Sequence, residues 1–284
     1  MNTFILIAAF IAGIIFKVIF PKDKIVRNYV NKYLIYLGLP LLVFVSLSKS
    51  RQVISVWHIV AIISFSIVSN ISFYYYIKRL HLKRSSRSAL FLCSVYGNTA
   101  YIGIPILYIL FGSNGSAIAS LFSLIILFFH YTLGLWIANY YSHGRTTMCT
   151  LMRSPFLWGL LIVFILSFFK IQIPSWISVV SEIGVLAAVF VVGAALVFKH
   201  LNFKIVKYTL LKLIIAPCIM LIIALVFKIE QFLALVLLAA MPSAFTNTSF
   251  AIEFKFDEKL TSSLTTIGTL LFMVIFFVFW LFKV

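Results

Sequence analysis

The chain has 284 residues, of which 63% are hydrophobic, 17% aromatic and only 10% charged, whereas a soluble domain carries about 25% charged residues. Six Asp and Glu cannot cover a water-facing surface, so a soluble globular domain and a disordered chain are both excluded. The 23 Lys and Arg give a net charge of +17, but they cluster between apolar runs, where the positive-inside rule accounts for them and a nucleic-acid partner would find no soluble scaffold.

Each membrane helix needs about 20 apolar residues. The apolar runs fall at 3–20, 30–48, 53–77, 88–111, 116–140, 154–170, 176–198, 208–227, 231–253 and 261–283. None alternates with period two, so the expectation is an all-α membrane protein of ten spans rather than a β-barrel. Pro21, Lys22, Asp23 and Lys24 follow the first run instead of preceding it. That charge order is the reverse of a secretory signal, so the first span is read as retained. The three cysteines include no CxxC pair and two (Cys93, Cys218) lie in apolar stretches, which leaves no disulfide framework and no metal pair.

Eighteen basic residues lie in or beside the loops that follow the odd-numbered spans, counting Lys17, Lys32 and Lys212 as flanks, and five lie on the other side. The odd loops are therefore expected in the cytoplasm of a multi-pass cell-membrane protein, with both termini outside. Ten spans divide as five plus five, and an odd number per half inverts the second half, the inverted-repeat plan of many secondary transporters. The halves are expected at 1–140 and 154–284, joined by a short cytoplasmic connector at 141–153, in one membrane unit with scaffold and transport parts interleaved.

Two spans carry polar groups that lipid would not tolerate. The fourth reads Ser94-Val-Tyr-Gly97-Asn98-Thr99-Ala-Tyr101-Ile-Gly103-Ile-Pro105, and a break is expected at Gly103–Pro105, where proline removes an N–H and crowds the preceding turn. The ninth reads Met241-Pro242-Ser243-Ala-Phe-Thr246-Asn247-Thr248-Ser249. Four consecutive polar residues face all sides of a helix and must meet protein, water or a ligand. Broken helices at matching places in two inverted halves are the best sequence pointer to a transport site. Their half-helix N-termini, each worth roughly half a positive charge, would attract an anion without a buried cation. The plainer alternative makes these prolines packing kinks and the polar residues interhelical contacts.

At these residues the chain resembles the auxin efflux carrier family of membrane transporters, which includes the plant PIN proteins and bacterial PIN-like members. Asn98-Thr-Ala-Tyr-Ile-Gly103-Ile-Pro105 is similar to the family's fourth helix, and Ala240-Met-Pro242 with Phe250-Ala251 and Glu253 to its ninth. Tyr36-Leu-Gly-Leu-Pro40 and Gly193-Ala-Ala-Leu196 also fit. The resemblance implies two inverted five-helix repeats akin to bile-acid symporters, a crossover of helices 4 and 9, elevator-type movement and small organic anions as substrates. The chain departs from plant members in having Asn247 where they place a second proline, no acid in the third span (Ser66, Ser69 and Asn70 stand there) and a short connector. Auxin itself is therefore not the expected cargo.

The expected substrate site comprises Asn98, Thr99, Tyr101, Gly103, Pro105, Pro242, Ser243, Thr246, Asn247 and Thr248, with the two asparagines bonding a carboxylate. His130, mid-way along the fifth span, and Glu182, near the outer end of the seventh, are candidates for ion coupling, set against a bonded core histidine and a water-reaching acid. Glu253, Asp257 and Glu258 are expected to pair with Lys255 and Lys259 at the surface. Trp57, Trp136, Trp158, Trp176 and Trp280 read as interfacial anchors, and Gly184, Ala188 and Gly193 as a close helix contact. No cofactor is expected. The coupling ion, sodium or proton, stays open, because carbonyl sites leave no side-chain signature. The partners are the bilayer, an anionic solute and, as an option, a second copy in a homodimer. A sodium-coupled carrier of another solute is the alternative, ahead of a channel, which wants a filter repeated around an axis. An intramembrane enzyme wants a nucleophile with its base, paired acids or a metal cluster, none of which the spans contain.

Overall fold

Proline and glycine bend and interrupt the helices of this chain more often than they end them. The computed structural model describes residues 3–20, 25–49, 53–142, 158, 161–162, 165–166, 169, 173–197 and 203–282. These form α1 (Thr3–Ile19), α2 (Ile25–Tyr33), α3 (Leu39–Lys49), α4 (Val56–Lys78), α5 (Arg84–Val95), α6 (Ile104–Phe129), α7 (Leu135–Ser142), α8 (Ser175–Ala194), α9 (Phe203–Val226), α10 (Phe232–Ala239), α11 (Thr246–Glu253) and α12 (Glu258–Phe282). No β-strand occurs among the described residues. Their one extended pairing is an isolated bridge.

Five described stretches are long and apolar enough to cross a membrane, namely Val56–Lys78, Thr99–Ser142, Ser175–Ala194, Lys204–Val226 and Glu258–Val278, and shorter apolar helices cover Phe4–Ile19 and Tyr36–Ser48. Large aliphatic side chains such as Ile214, Ile222, Leu225 and Val226 point outward, as a lipid-facing wall requires. Trp57, Trp136, Trp158 and Trp176 are exposed too. The expected sixth span and the connector fall largely outside the described residues, as does the Trp280 side chain.

The 44-residue run Thr99–Ser142 would measure about 66 Å as one straight helix, twice the hydrocarbon thickness. Gly112, at φ 63° and ψ −149°, interrupts it, and only glycine adopts that conformation cheaply. Gly112 thus divides the run into two helical segments, at the junction between the expected fourth and fifth spans.

Wide π-turns at Leu34–Gly38 and Thr99–Gly103 each end two residues before a proline, Pro40 and Pro105. Widening the preceding turn accommodates the missing N–H without ending the helix. The fourth span therefore does not break at Gly103–Pro105 as its sequence leads one to expect. It breaks upstream, between Val95 and Thr99. The ninth breaks where expected, around Pro242, between Ala239 and Thr246.

The chain forms two compact units, each gathered from distant segments: residues 1–62, 99–128 and 148–196 in one, and 63–98, 129–147 and 197–284 in the other. In the first, α1 lies against α8. A Cβ on Gly13 would collide with the Phe190 carbonyl, and one on Gly193 with the Phe10 carbonyl. Gly38 and Gly184 approach less tightly, a Cβ on Gly184 falling 3.0 Å from Gly38 O. Tyr33 Oη donates to Val180 O at 2.9 Å beside them. The close contact read from Gly184 and Gly193 is thus real, and its partners are α1 and the turn before α3. In the second unit α7, α9, α11 and α12 each pack against α5. Ser88 Oγ donates to Ala138 O at 2.6 Å. Asp257 caps α12 by accepting from Leu260 N at 3.1 Å, and also accepts from Ser86 Oγ at 2.7 Å.

Gly193→Ala is expected to push α1 off α8 and cost about 1–3 kcal/mol, read as a lower thermal midpoint of the purified protein in detergent. An unchanged midpoint would show that the crossing has slack.

Candidate functional site

Two helix breaks in the second unit solve one problem for each other. Tyr96, at the end of α5, turns extended (φ −100°, ψ 110°). Gly97 then pairs antiparallel with Ser243, from the break between α10 and α11. Asn98 N donates to Pro242 O at 2.6 Å and Ala244 N donates to Tyr96 O at 3.1 Å. Breaking a helix in an apolar medium strands backbone groups at several kcal/mol each. Here four of them satisfy one another across the crossover. Gly97 makes the approach feasible, because a Cβ there would lie 2.9 Å from Met241 O. Part of the bare-amide cradle expected for an anion is therefore occupied by the partner break itself.

Asn247 secures the arrangement. Fully buried, it donates through Nδ2 to Ser243 Oγ at 3.0 Å, Tyr96 O at 3.2 Å and Leu92 O at 3.3 Å. It thus adds a second donor to two carbonyls at the end of α5, since Leu92 O also accepts from Tyr96 N and Tyr96 O from Ala244 N. Its Oδ1 lacks a partner. Ser243 Oγ also accepts from Thr265 Oγ1 of α12 at 3.2 Å. In the polar run that follows, Thr246 and Thr248 are half-buried and Ser249 is exposed. Asn98 is buried, and its Nδ2 donates to nothing.

An aromatic brace adjoins the crossover. The Tyr96 ring stacks on His130 (centroids 4.3 Å apart, planes 10° apart), and His130 meets Phe250 edge-on at 4.9 Å. The Tyr96 hydroxyl lies 2.8 Å from Asn70 Oδ1 and 3.1 Å from Phe129 O. A Cβ on Gly134 would collide with the Tyr96 ring. His130 also faces the Asn247 side chain, although its Nε2 completes no hydrogen bond.

The structure thus gathers Asn98, Pro242, Ser243, Asn247 and His130 in one unit. Thr99, Tyr101, Gly103 and Pro105 belong to the other, where the turn Thr99–Gly103 lies against α8. Glu182, also in the first unit, lines a cavity of about 370 Å³ with Tyr108 and the serines Ser46, Ser113, Ser116, Ser178 and Ser181.

Lys212 is the residue that sequence reasoning misplaced. It is not a flank: α9 begins at Phe203, which sets Lys212 about two and a half turns inside the helix. It is 4% exposed, and among the described residues it is the one Lys, Arg, Asp or Glu that is buried. Its Nζ has no hydrogen-bond partner and lies 3.5 Å from where a Gly97 Cβ would sit. It borders a cavity of about 10 Å³ with Cys93, Ser94, Thr209, Pro242 and Ser243, room for about one water molecule. Starting the eighth apolar run at Phe203 rather than Tyr208 would have revealed it. Tyr96 and Asn70 carried no comparable signal, since a tyrosine and an asparagine in apolar runs are common packing residues.

A family model described as "Membrane transport protein" matches residues 3–148 and 144–280. The chain is also 26% identical, over 259 residues and 84% of each sequence, to a protein of Methanocaldococcus jannaschii called an uncharacterized transporter. The two matched segments meet within the expected connector. With nearly its whole length matched, the chain belongs to the membrane transport protein family, the group of auxin efflux carrier and PIN-like proteins that its fourth and ninth spans resemble, and it is a multi-pass membrane transporter rather than an enzyme.

Proposed function

We propose that this transporter is a secondary carrier of a small organic anion, a carboxylate, working by elevator-type alternating access in the cell membrane. The observation that carries the reading is the crossover itself: two interrupted helices joined at Gly97 and Ser243, with the buried Nδ2 donor of Asn98 left without a partner beside the join. A buried donor that folding leaves unpaired costs stability and marks a place where a ligand's acceptor belongs. An elevator moves its site intact, and the whole crossover, from Asn70 through Thr265, lies within one compact unit. The two asparagines divide the work. Asn98 offers its amide to the substrate, while Asn247 holds the crossover closed. The ten-span inverted plan, with odd loops in the cytoplasm and both termini outside, remains the topology that the charge asymmetry supports.

Asn98→Ala is expected to lower kcat/KM for carboxylate uptake into proteoliposomes about tenfold while moving the thermal midpoint little, since Nδ2 has no internal partner to lose. Asn247→Ala removes two N–H donors shared among three acceptors and is expected to lower both uptake and the thermal midpoint, at a cost of about 2–3 kcal/mol. Equal effects of the two variants on stability would contradict this division. Uptake of neutral or cationic solutes alone would overturn the anion assignment.

Gly97→Ala places a methyl against Met241 O and is expected to abolish uptake while the protein still reaches the membrane. Retained wild-type uptake would show that the crossover tolerates separation.

A further inference from the structure

We infer that Lys212 is the fixed cation of the transport site, that the substrate's carboxylate pairs with its ammonium, and that sodium is therefore not required. This rests on the carrier reading above and goes further by naming the group that selects charge. The crossover's own amides are partly paired with each other, so helix ends supply less positive potential than two bare breaks would. Lys212 supplies it instead. Its Nζ stands beside Gly97 without a partner, and no Asp or Glu is buried among the described residues. A buried ammonium without a counter-charge is costly, and removing one partner of a buried pair leaves just such a group. Thr209, which lines the same cavity, has an Oγ1 without a partner, and a hydroxyl can donate to an acceptor held there. A carboxylate bound beside Nζ would both hold Lys212 as an ammonium and accept from these two groups.

The cavity of about 10 Å³ beside Nζ takes one oxygen atom, which fits the tip of a carboxylate better than a whole polyatomic anion. A metal cation in the same break would meet Lys212 rather than a carboxylate. Of the carbonyls at the breaks, Tyr96 O already accepts from Ala244 N and Asn247 Nδ2, and Pro242 O accepts from Asn98 N. The role that an exchangeable sodium would have is thus filled by a residue of the chain.

The test is thermal unfolding of the purified full chain in detergent against acetate, malonate, succinate and benzoate, each as choline and as sodium salt, for wild type, Lys212→Met, Lys212→Gln and Lys212→Arg. At least one carboxylate is expected to stabilise the wild type saturably, with the same half-effect concentration in choline as in sodium. Both neutral variants are expected to raise that concentration about ten- to hundredfold, the loss of a charge-assisted bond. Lys212→Met is also expected to melt higher than wild type without ligand, because it removes an unpaired buried polar head, whereas a lysine held by internal hydrogen bonds would not do so. Lys212→Arg is expected to keep most of the response. A wild-type half-effect concentration in Lys212→Met and Lys212→Gln would remove Lys212 from the site and leave the carrier reading standing. Stabilisation only in sodium would overturn the fixed-cation role. No response of the wild type to any of the four carboxylates would overturn the carboxylate class, on which both readings depend.

Discussion

The structure depends on a backbone exchange between two unwound segments. Asn98 N donates to Pro242 O and Ala244 N to Tyr96 O. In water such an exchange would contribute little, because the same groups could bond solvent. In a protein that presents aliphatic side chains to lipid, no such alternative exists, and an unwound segment survives only where another backbone completes it. Each break is the condition for the other. Asn247 extends the principle from backbone to side chain by reaching the Leu92 and Tyr96 carbonyls, and the stack of Tyr96 on His130 fixes the ring from which the unwound stretch departs.

Much of this could be read from the residues in order. The ninth-span break follows from Pro242 and the polar run behind it, and the fourth span is marked by a density of Gly, Asn and Thr that lipid would reject. The exact point of interruption was not legible. Proline suggests a break at Gly103–Pro105, yet a helix absorbs one missing N–H by widening a turn, as it does before both Pro40 and Pro105. Gly97 marks the true break for a reason that lies 144 positions away in sequence, the approach of the Met241 carbonyl. Local sequence holds no trace of such a contact.

Lys212 shows a second limit of reading by periodicity. A lysine near the start of an apolar run looks like a flank, and the positive-inside tally gains from counting it so. The helix begins earlier, at Phe203, because Lys204 and Lys207 are compatible with its first turns. The cation is thereby carried to the level of the crossover. His130 stacks on Tyr96 and meets Phe250 edge-on, contacts that its place mid-way along an apolar run does not announce.

Each of the two units collects pieces from both halves of the chain, and this has a consequence for biogenesis. The amide of Asn98 is synthesised long before the carbonyl of Pro242 that will receive it. At roughly 5–20 residues per second the delay is on the order of 7–30 s. During that interval the half-made fourth span needs a temporary host for its unwound stretch, whether interfacial water, the insertion machinery or a provisional continuous helix. The nascent protein must therefore rearrange inside the bilayer after its last third arrives, and the mature crossover is a late event in the life of each molecule.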